Sequence, residues 1–206
     1  MLRSCTGCRS RVCRRGRFCP IRSLTDLQRA TRIAAAAICV TLVYAPSARA
    51  ADVSLADLQA ATRTLGFVDT LQSRSTISIG VVYGAGARDG KSSAAQTAGA
   101  LAAMRGPGSS TIRANAVSTD ELAQNAQHFD VLYLMPGLAA NGAQIAEAVR
   151  RLHIVSISSD PACLDTKYCV LMVQAGSGVN IVLDTALSAA AGVQFSSVFT
   201  MMVKRR

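Results

Sequence analysis

Positions 55, 58, 62, 65, 68 and 71 carry Leu, Leu, Thr, Leu, Val and Leu, a spacing of three to four residues that gathers side chains on one face of a helix. Ser54-Leu-Ala-Asp57 just ahead of them sets a hydroxyl and a carboxylate three residues apart, as a capping box requires. The pattern therefore predicts a helix from Leu55 to Leu71. It then changes period: Ile77-Ser-Ile-Gly-Val-Val-Tyr83 reads as a strand running into a glycine-rich loop. Ser92–Met104 is helix-forming and Thr111–Val117 is strand-like. Ser118-Thr-Asp-Glu121 repeats the capping box and opens a further helix. Phe129–Met135 is an apolar run of the kind found in a strand buried on both faces, and Pro136-Gly137 turns the chain at its end. Asn141 is placed to cap a helix through Leu152, and His153-Ile-Val-Ser-Ile-Ser158 follows as a strand.

Strands that alternate with helices imply right-handed crossovers and a largely parallel sheet. The last quarter departs from that rhythm. Cys169–Gln174 and Val179–Asp184 flank Ala175-Gly-Ser-Gly178, a hairpin signature, so one antiparallel pair is expected in the sheet. Ala186–Ala191, stopped by Gly192, and Ser196–Val203 read as closing helices. The predicted fold is α/β, a single compact three-layer domain with a mixed, mostly parallel sheet and a C-terminal hairpin plus helices. An alanine-rich chain without tryptophan suits helices with small faces packed close to a sheet.

The first fifty residues follow another logic. Ile33–Tyr44 is a twelve-residue apolar run behind Arg29 and Arg32, and it leads into Ala48-Arg49-Ala50, a small-x-small cleavage signature. A bilayer span needs about 20 apolar residues. Thr31–Ala50 is thus expected to be a cleaved signal peptide, which divides the chain into residues 1–50 and a periplasmic product of residues 51–206. Charge supports the division. Ten of the 22 Lys and Arg lie in residues 1–50 against the single acid Asp26, so the product holds 12 bases and 11 acids. Nine of the ten net positive charges belong to residues 1–50, and nucleic-acid binding is excluded as a reading. Residues 1–28 also hold Cys5, Cys8, Cys13 and Cys19. The Cys5–Cys8 spacing is half of a zinc site, but without regular periodicity around it the segment reads as an extension or an upstream over-read of the gene. Arg14-Arg15 lies too far from the apolar run to serve as a twin-arginine signal.

Chemistry is sparse in residues 51–206. Ala85-Gly-Ala-Arg-Asp-Gly-Lys91-Ser92 fits a relaxed phosphate-loop pattern between a strand and a helix. Its alternative is an ordinary glycine-rich turn, the reading adopted because no apolar strand ends cleanly in the acid that magnesium would need. His128 and His153 each adjoin a strand, and no Gly-x-Ser-x-Gly elbow or metal-ligand cluster occurs. No catalytic residue, metal or cofactor is expected. Cys163 and Cys169 are the two cysteines of the product and enclose Leu-Asp-Thr-Lys-Tyr between strands. In an oxidising compartment they read as a disulfide, with two buried free thiols as the alternative.

Thr76-Ile-Ser-Ile-Gly-Val-Val82, Phe129-Asp-Val-Leu-Tyr-Leu134, Ile154-Val-Ser-Ile-Ser-Ser-Asp160 and the tail Leu183–Ser197 together resemble the YfiR family of periplasmic proteins. The likeness spans about residues 55–206, and the tail is its most specific part. Val182 stands where family members carry asparagine, and Phe199, Met201 and Met202 stand where leucines are usual. The resemblance implies a compact α/β domain, a homodimer, an internal disulfide matching Cys163 and Cys169, and no enzymatic activity. It also implies a role: repression of a membrane-bound diguanylate cyclase through that enzyme's periplasmic domain, or through a similar receptor. The alternative is a periplasmic small-molecule binding module. Its ligand would sit at the carboxyl ends of the strands, where α/β sheets bind ligands, among Tyr83–Arg88, Met135–Gly137 and Ser158–Asp160. The candidate contacts are Tyr83, Arg88, Met135, Ser159 and Asp160, with Phe199 in the last helix as a candidate for a partner or for the core.

Overall fold

A parallel crossover is right-handed, so the direction in which each successive strand is laid down decides which face of the sheet its helix covers. In the computed structural model, which describes residues 53–206, β1 (Thr76–Tyr83) leads through α2 (Gly90–Ala102) to β2 (Thr111–Ser118) on its left. The chain then returns through α3 (Thr119–Asn125) to β3 (Val131–Leu134) on the right of β1, and on through α4 (Gly142–Leu152) to β4 (Val155–Ser158). The reversal places α2 on one face and α3 and α4 on the other. The opening helix α1 (Leu55–Thr64) joins the α2 face, packing on β5 (Leu171–Ala175) and against α2, while α6 (Thr185–Ala190) packs beside α4. A short α5 (Ala162–Asp165) joins β4 to β5, and β6 (Val179–Leu183) returns antiparallel to β5. Helix α7 (Ser197–Met202) and a two-residue β7 (Lys204–Arg205), parallel to β6, complete the chain.

The sheet order is β2-β1-β3-β4-β5-β6-β7, with β5 to β6 its one antiparallel pair. Three layers and a mixed, mostly parallel sheet with a C-terminal hairpin are what the sequence pattern predicted. The core follows from that pattern too. All four residues of β3 and of β4 are buried, as are Ile77, Ile79, Val81 and Val82 of β1. Gly80 lets β1 pass beneath the Phe129 ring; a Cβ there would come within 2.8 Å of it.

Several boundaries differ from expectation for local reasons. The first helix ends at Thr64, not Leu71. Gly66 follows, two short 3₁₀ turns carry the chain through Leu65–Phe67 and Asp69–Leu71, and Val68 between them pairs as an isolated bridge with Phe195. Leu55, counted on the apolar face, is 60% exposed. Helix α2 starts at Gly90, and Asn141 occupies the cap position of α4 without a side-chain cap hydrogen bond. Asp184 is not the end of the strand: its carboxylate accepts from Leu187 N at 2.8 Å and caps α6. Gly192 has the positive φ (65°) expected of a helix stop. The expected signal segment Thr31–Ala50 and Cys5, Cys8, Cys13 and Cys19 lie outside the described residues.

Candidate functional site

The registers Val82↔Leu134 and Leu134↔Ser158 bring the carboxyl ends of β1, β3 and β4 side by side. Between β1 and β3 the order of strands reverses, so α2 and α3 lie on opposite faces, the arrangement that in open α/β sheets opens a ligand crevice at the strand ends. Three loops rim this position. Gly84–Asp89 leaves β1 through two tight turns, Ala87 N donating to Gly84 O and Gly90 N to Ala87 O at 3.0 and 3.1 Å. Met135–Gly137 leaves β3, and Ser159–Pro161 leaves β4.

Hydrogen bonds fix the β3 and β4 loops to each other and the β1 loop to the start of α3. Asp160 accepts from Gly137 N with Oδ2 and from Ala162 N with Oδ1, both at 3.0 Å, so one carboxylate ties the β3 turn to the start of α5. Ser158 Oγ donates to Leu134 O at 3.0 Å and accepts from Asp160 N at 3.1 Å. On the other side of the crevice Ala85 N donates to Thr119 Oγ1 at 3.4 Å, and Gln144 Nε2 donates to Thr119 O at 2.8 Å. Thr119 thereby links the β1 loop, the start of α3 and the first turns of α4. Leu138 Cδ2 lies 3.6 Å from where a Cβ of Gly84 would be, so the β1 and β3 loops touch.

Five of the six candidate residues therefore converge. Tyr83 is half-buried against the start of α2, its Cδ2 3.2 Å from where a Cβ of Gly90 would lie. Arg88 is exposed on the β1 loop and belongs to none of the ion pairs among the described residues. Met135 is half-buried at the end of β3. Ser159 is buried, 3.5 Å from the Tyr133 hydroxyl, and Asp160 spends both oxygens on backbone amides. The last two brace the loops, whereas the side chains of Tyr83, Arg88 and Met135 take part in no hydrogen bond or ion pair among the described residues. Burial pushes the Tyr133 phenol up to about 12, so it stays a neutral donor at the base of the β3 wall. The reasoning from sequence missed Thr119, Leu138 and Gln144. The capping box at Ser118 marks the first of them as the start of a helix; nothing local marks the other two.

Phe199 is not part of this group. It is 1% exposed and stacks on Phe67 and Phe195 with ring centroids 5.0 and 5.3 Å apart. It lines a separate groove of about 220 Å³ beside β6, four strand positions from β1, or roughly 19 Å at the usual strand spacing. Its burial makes it a core residue, and the exposed large apolar side chains of that helix are Val198, Met201 and Met202.

Cys163 and Cys169 form a disulfide across a Cα separation of 5.4 Å. Both are fully buried, and the bridge fastens α5 to the chain entering β5, directly behind Asp160. The free-thiol alternative is thereby set aside. Lys91 and Ser92 lie exposed in the first turn of α2, and among the described residues no cluster of His, Cys, Asp and Glu could hold a metal. His128 and His153 are both exposed, and His153 Nδ1 sits 2.8 Å from Ala191 O. Among the described residues no helix is long and apolar enough to cross a membrane.

No family model matches the chain, and no curated protein does. Solved structures do resemble it in fold. The ABC domain in complex with L-Trp from Streptococcus pneumonia matches at a TM-score of 0.51 with 11% identity, over 73% of this chain and 61% of that one. CD0873 from Clostridium difficile, described as a substrate binding protein with adhesive properties in its ligand-free, open form, matches at 0.52 with 10% identity, over 73% and 58%. This chain thus spans about six-tenths of the length of those proteins. At such identities the likeness shows the α/β fold alone.

Proposed function

We propose that this chain is an exported, non-enzymatic binding module that takes a small organic molecule into the crevice at the carboxyl ends of β1, β3 and β4. One observation carries the reading: the strand order reverses between β1 and β3 where three cross-braced loops meet, the position at which open α/β sheets bind ligands. The names of the structural neighbours, one bound to L-Trp and one a substrate binding protein, agree with it. Native mass spectrometry of the protein purified from its full-length gene, followed by calorimetry with the released compound, tests the proposal. Arg88→Ala and Met135→Ala are expected to lower affinity about fivefold or more while changing stability by only about 0.5 kcal/mol in the exposed case. A ligand indifferent to both substitutions overturns the placement.

A second reading is favoured by a different observation. Val198, Met201 and Met202 stand 55%, 77% and 65% exposed on α7, more apolar surface than so short a helix needs, and such patches serve protein contact. Together with the YfiR resemblance, this supports a periplasmic repressor of a membrane-bound diguanylate cyclase. Deleting the gene is then expected to raise cellular cyclic-di-GMP, and only an exported form restores it. Unchanged cyclic-di-GMP, with no cyclase recovered alongside the protein, removes this reading and leaves the first.

A further inference from the structure

Among the described residues, four of the five large apolar side chains that stand exposed, Val179, Val198, Met201 and Met202, belong to β6 and α7. Between these elements runs the groove of about 220 Å³, lined by Phe67, Val179, Ile181, Phe199 and Met202 with Lys204 at its rim. That volume is below the roughly 300–1,000 Å³ of ordinary small-molecule pockets, but it suits side chains arriving one at a time.

The backbone beside the groove is also incomplete. Asp184 N donates to Val170 O and Gly176 N to Gly178 O, so the hydrogen-bonded pairs of the β5–β6 ladder fall on the even-numbered residues of β6. The N–H and C=O of Val179 therefore point away from β5. β7 begins opposite Val182, and among the described residues no strand lies beside Val179. An uncharged open edge of this kind accepts an added strand.

Charge selects the occupant. No acid lines the groove, Lys204 and Arg205 are exposed next to it, and Arg206 is already paired with Asp165 at 2.8 Å. A second copy seated on the same face would bring its own Lys204 and Arg205 against these, like charge meeting like. An anionic lipid surface would satisfy the cations, but it leaves the Val179 backbone groups without partners, and α7 has only six residues to lie in an interface.

We infer that the groove between β6 and α7 receives an extended segment of a partner protein in which apolar and acidic side chains alternate. The segment pairs with the backbone of Val179, seats apolar side chains against Phe67 and Met202, and turns its acids toward Lys204 and Arg205. This assignment rests on the partner-binding reading and is independent of any ligand in the strand-end crevice.

The test is fluorescence anisotropy with two labelled eight-residue peptides, one alternating valine with glutamate and one alternating valine with lysine, titrated with protein from the full-length gene. The glutamate peptide is expected to bind on the order of tenfold tighter or more. Lys204→Glu with Arg205→Glu should reverse that order, and Met202→Glu should weaken the glutamate peptide. Leu55→Glu, equally apolar and exposed but on α1 and outside the groove lining, should leave both unchanged and serves as the folding control. Equal affinity for the two peptides, or no binding of either, overturns the inference. So does a dimer, seen by sedimentation, that Met202→Glu dissociates, or binding to phosphatidylglycerol vesicles with none to peptide. If the peptides fail while a cyclase still co-purifies, the partner reading survives at another face; if both fail, both fall.

Discussion

Removing the Asp160 carboxylate should loosen the candidate crevice by an amount that can be worked out from its contacts. Asp160→Ala deletes two hydrogen bonds, to Gly137 N and Ala162 N, each 3.0 Å long. Bonds to charged acceptors contribute about 1.5–3 kcal/mol each when buried. Asp160 is only half-buried and the Gly137 bond is exposed, so solvent brings each bond below that range, to about 1 kcal/mol, the value of an ordinary net hydrogen bond. A total near 2 kcal/mol lowers Tm by roughly 4–8 °C in a domain of this size. Asp160→Asn keeps one acceptor oxygen and should fall about midway. The assay is calorimetric or fluorescence-detected unfolding of the three proteins, with hydrogen exchange at Gly137 as the local readout. An alanine variant that melts within 1 °C of the parent, or an asparagine variant as weak as alanine, would refute the claim that this carboxylate braces the two turns.

Other expectations follow from single contacts. Cys163→Ser opens a short loop and should cost about 2 kcal/mol by the loop-entropy model, and intact mass without reductant should show two hydrogens missing from the parent; free thiols contradict it. Tyr133 and Tyr168, both held up to about 12 by burial, should ionise in a phenol absorbance titration well after an ordinary tyrosine. Because the folded state keeps the Tyr133 proton, its contribution to stability is whole below about pH 10 and fades as pH rises toward 12, a change of roughly 2–3 kcal/mol for Tyr133; urea midpoints that stay level over that window count against this. Gly142→Ala places a Cβ 2.8 Å from the Tyr168 ring and should destabilise by about 1–3 kcal/mol, whereas Gly86→Ala, with open space around it, should be neutral or slightly stabilising. Lys91→Ala should leave the melting curve intact, and ATP with magnesium should produce no thermal shift; a shift lost in that variant revives a phosphate loop.

The parts of the fold that were legible in the sequence are those written in local patterns. Burial on both faces makes β3 read as an apolar run, Ser54 and Ser118 mark helix starts because their hydroxyls and the following carboxylates close capping boxes, and Gly178 with Gly192 punctuates the hairpin and the helix stop. The helix predicted through Leu71 ends early because Leu65, Val68 and Leu71 keep a helical spacing while lying in or between two 3₁₀ turns; all three are buried, and Val68 pairs with Phe195, a tertiary contact that periodicity does not report. The candidate crevice was half legible. Strand ends can be placed by pattern, so Tyr83, Met135 and Asp160 were reachable. Thr119 and Gln144 were not, because the bonds from Ala85 and from Gln144 to Thr119 depend on the reversal of strand order. Phe199 and Met202 look alike in sequence, and only packing separates the buried ring from the exposed thioether.

The proposed ligand site lies where β1, β3 and β4 end. The most direct test is an amide chemical-shift map of the ¹⁵N-labelled protein titrated with the compound it releases in native mass spectrometry. The shifts should cluster at Gly84–Asp89, Met135, Gly137 and Ser158–Asp160, with Thr119 responding through its bond to Ala85. Shifts confined to Val179–Ile181 and α7, or spread evenly at saturation, would contradict it.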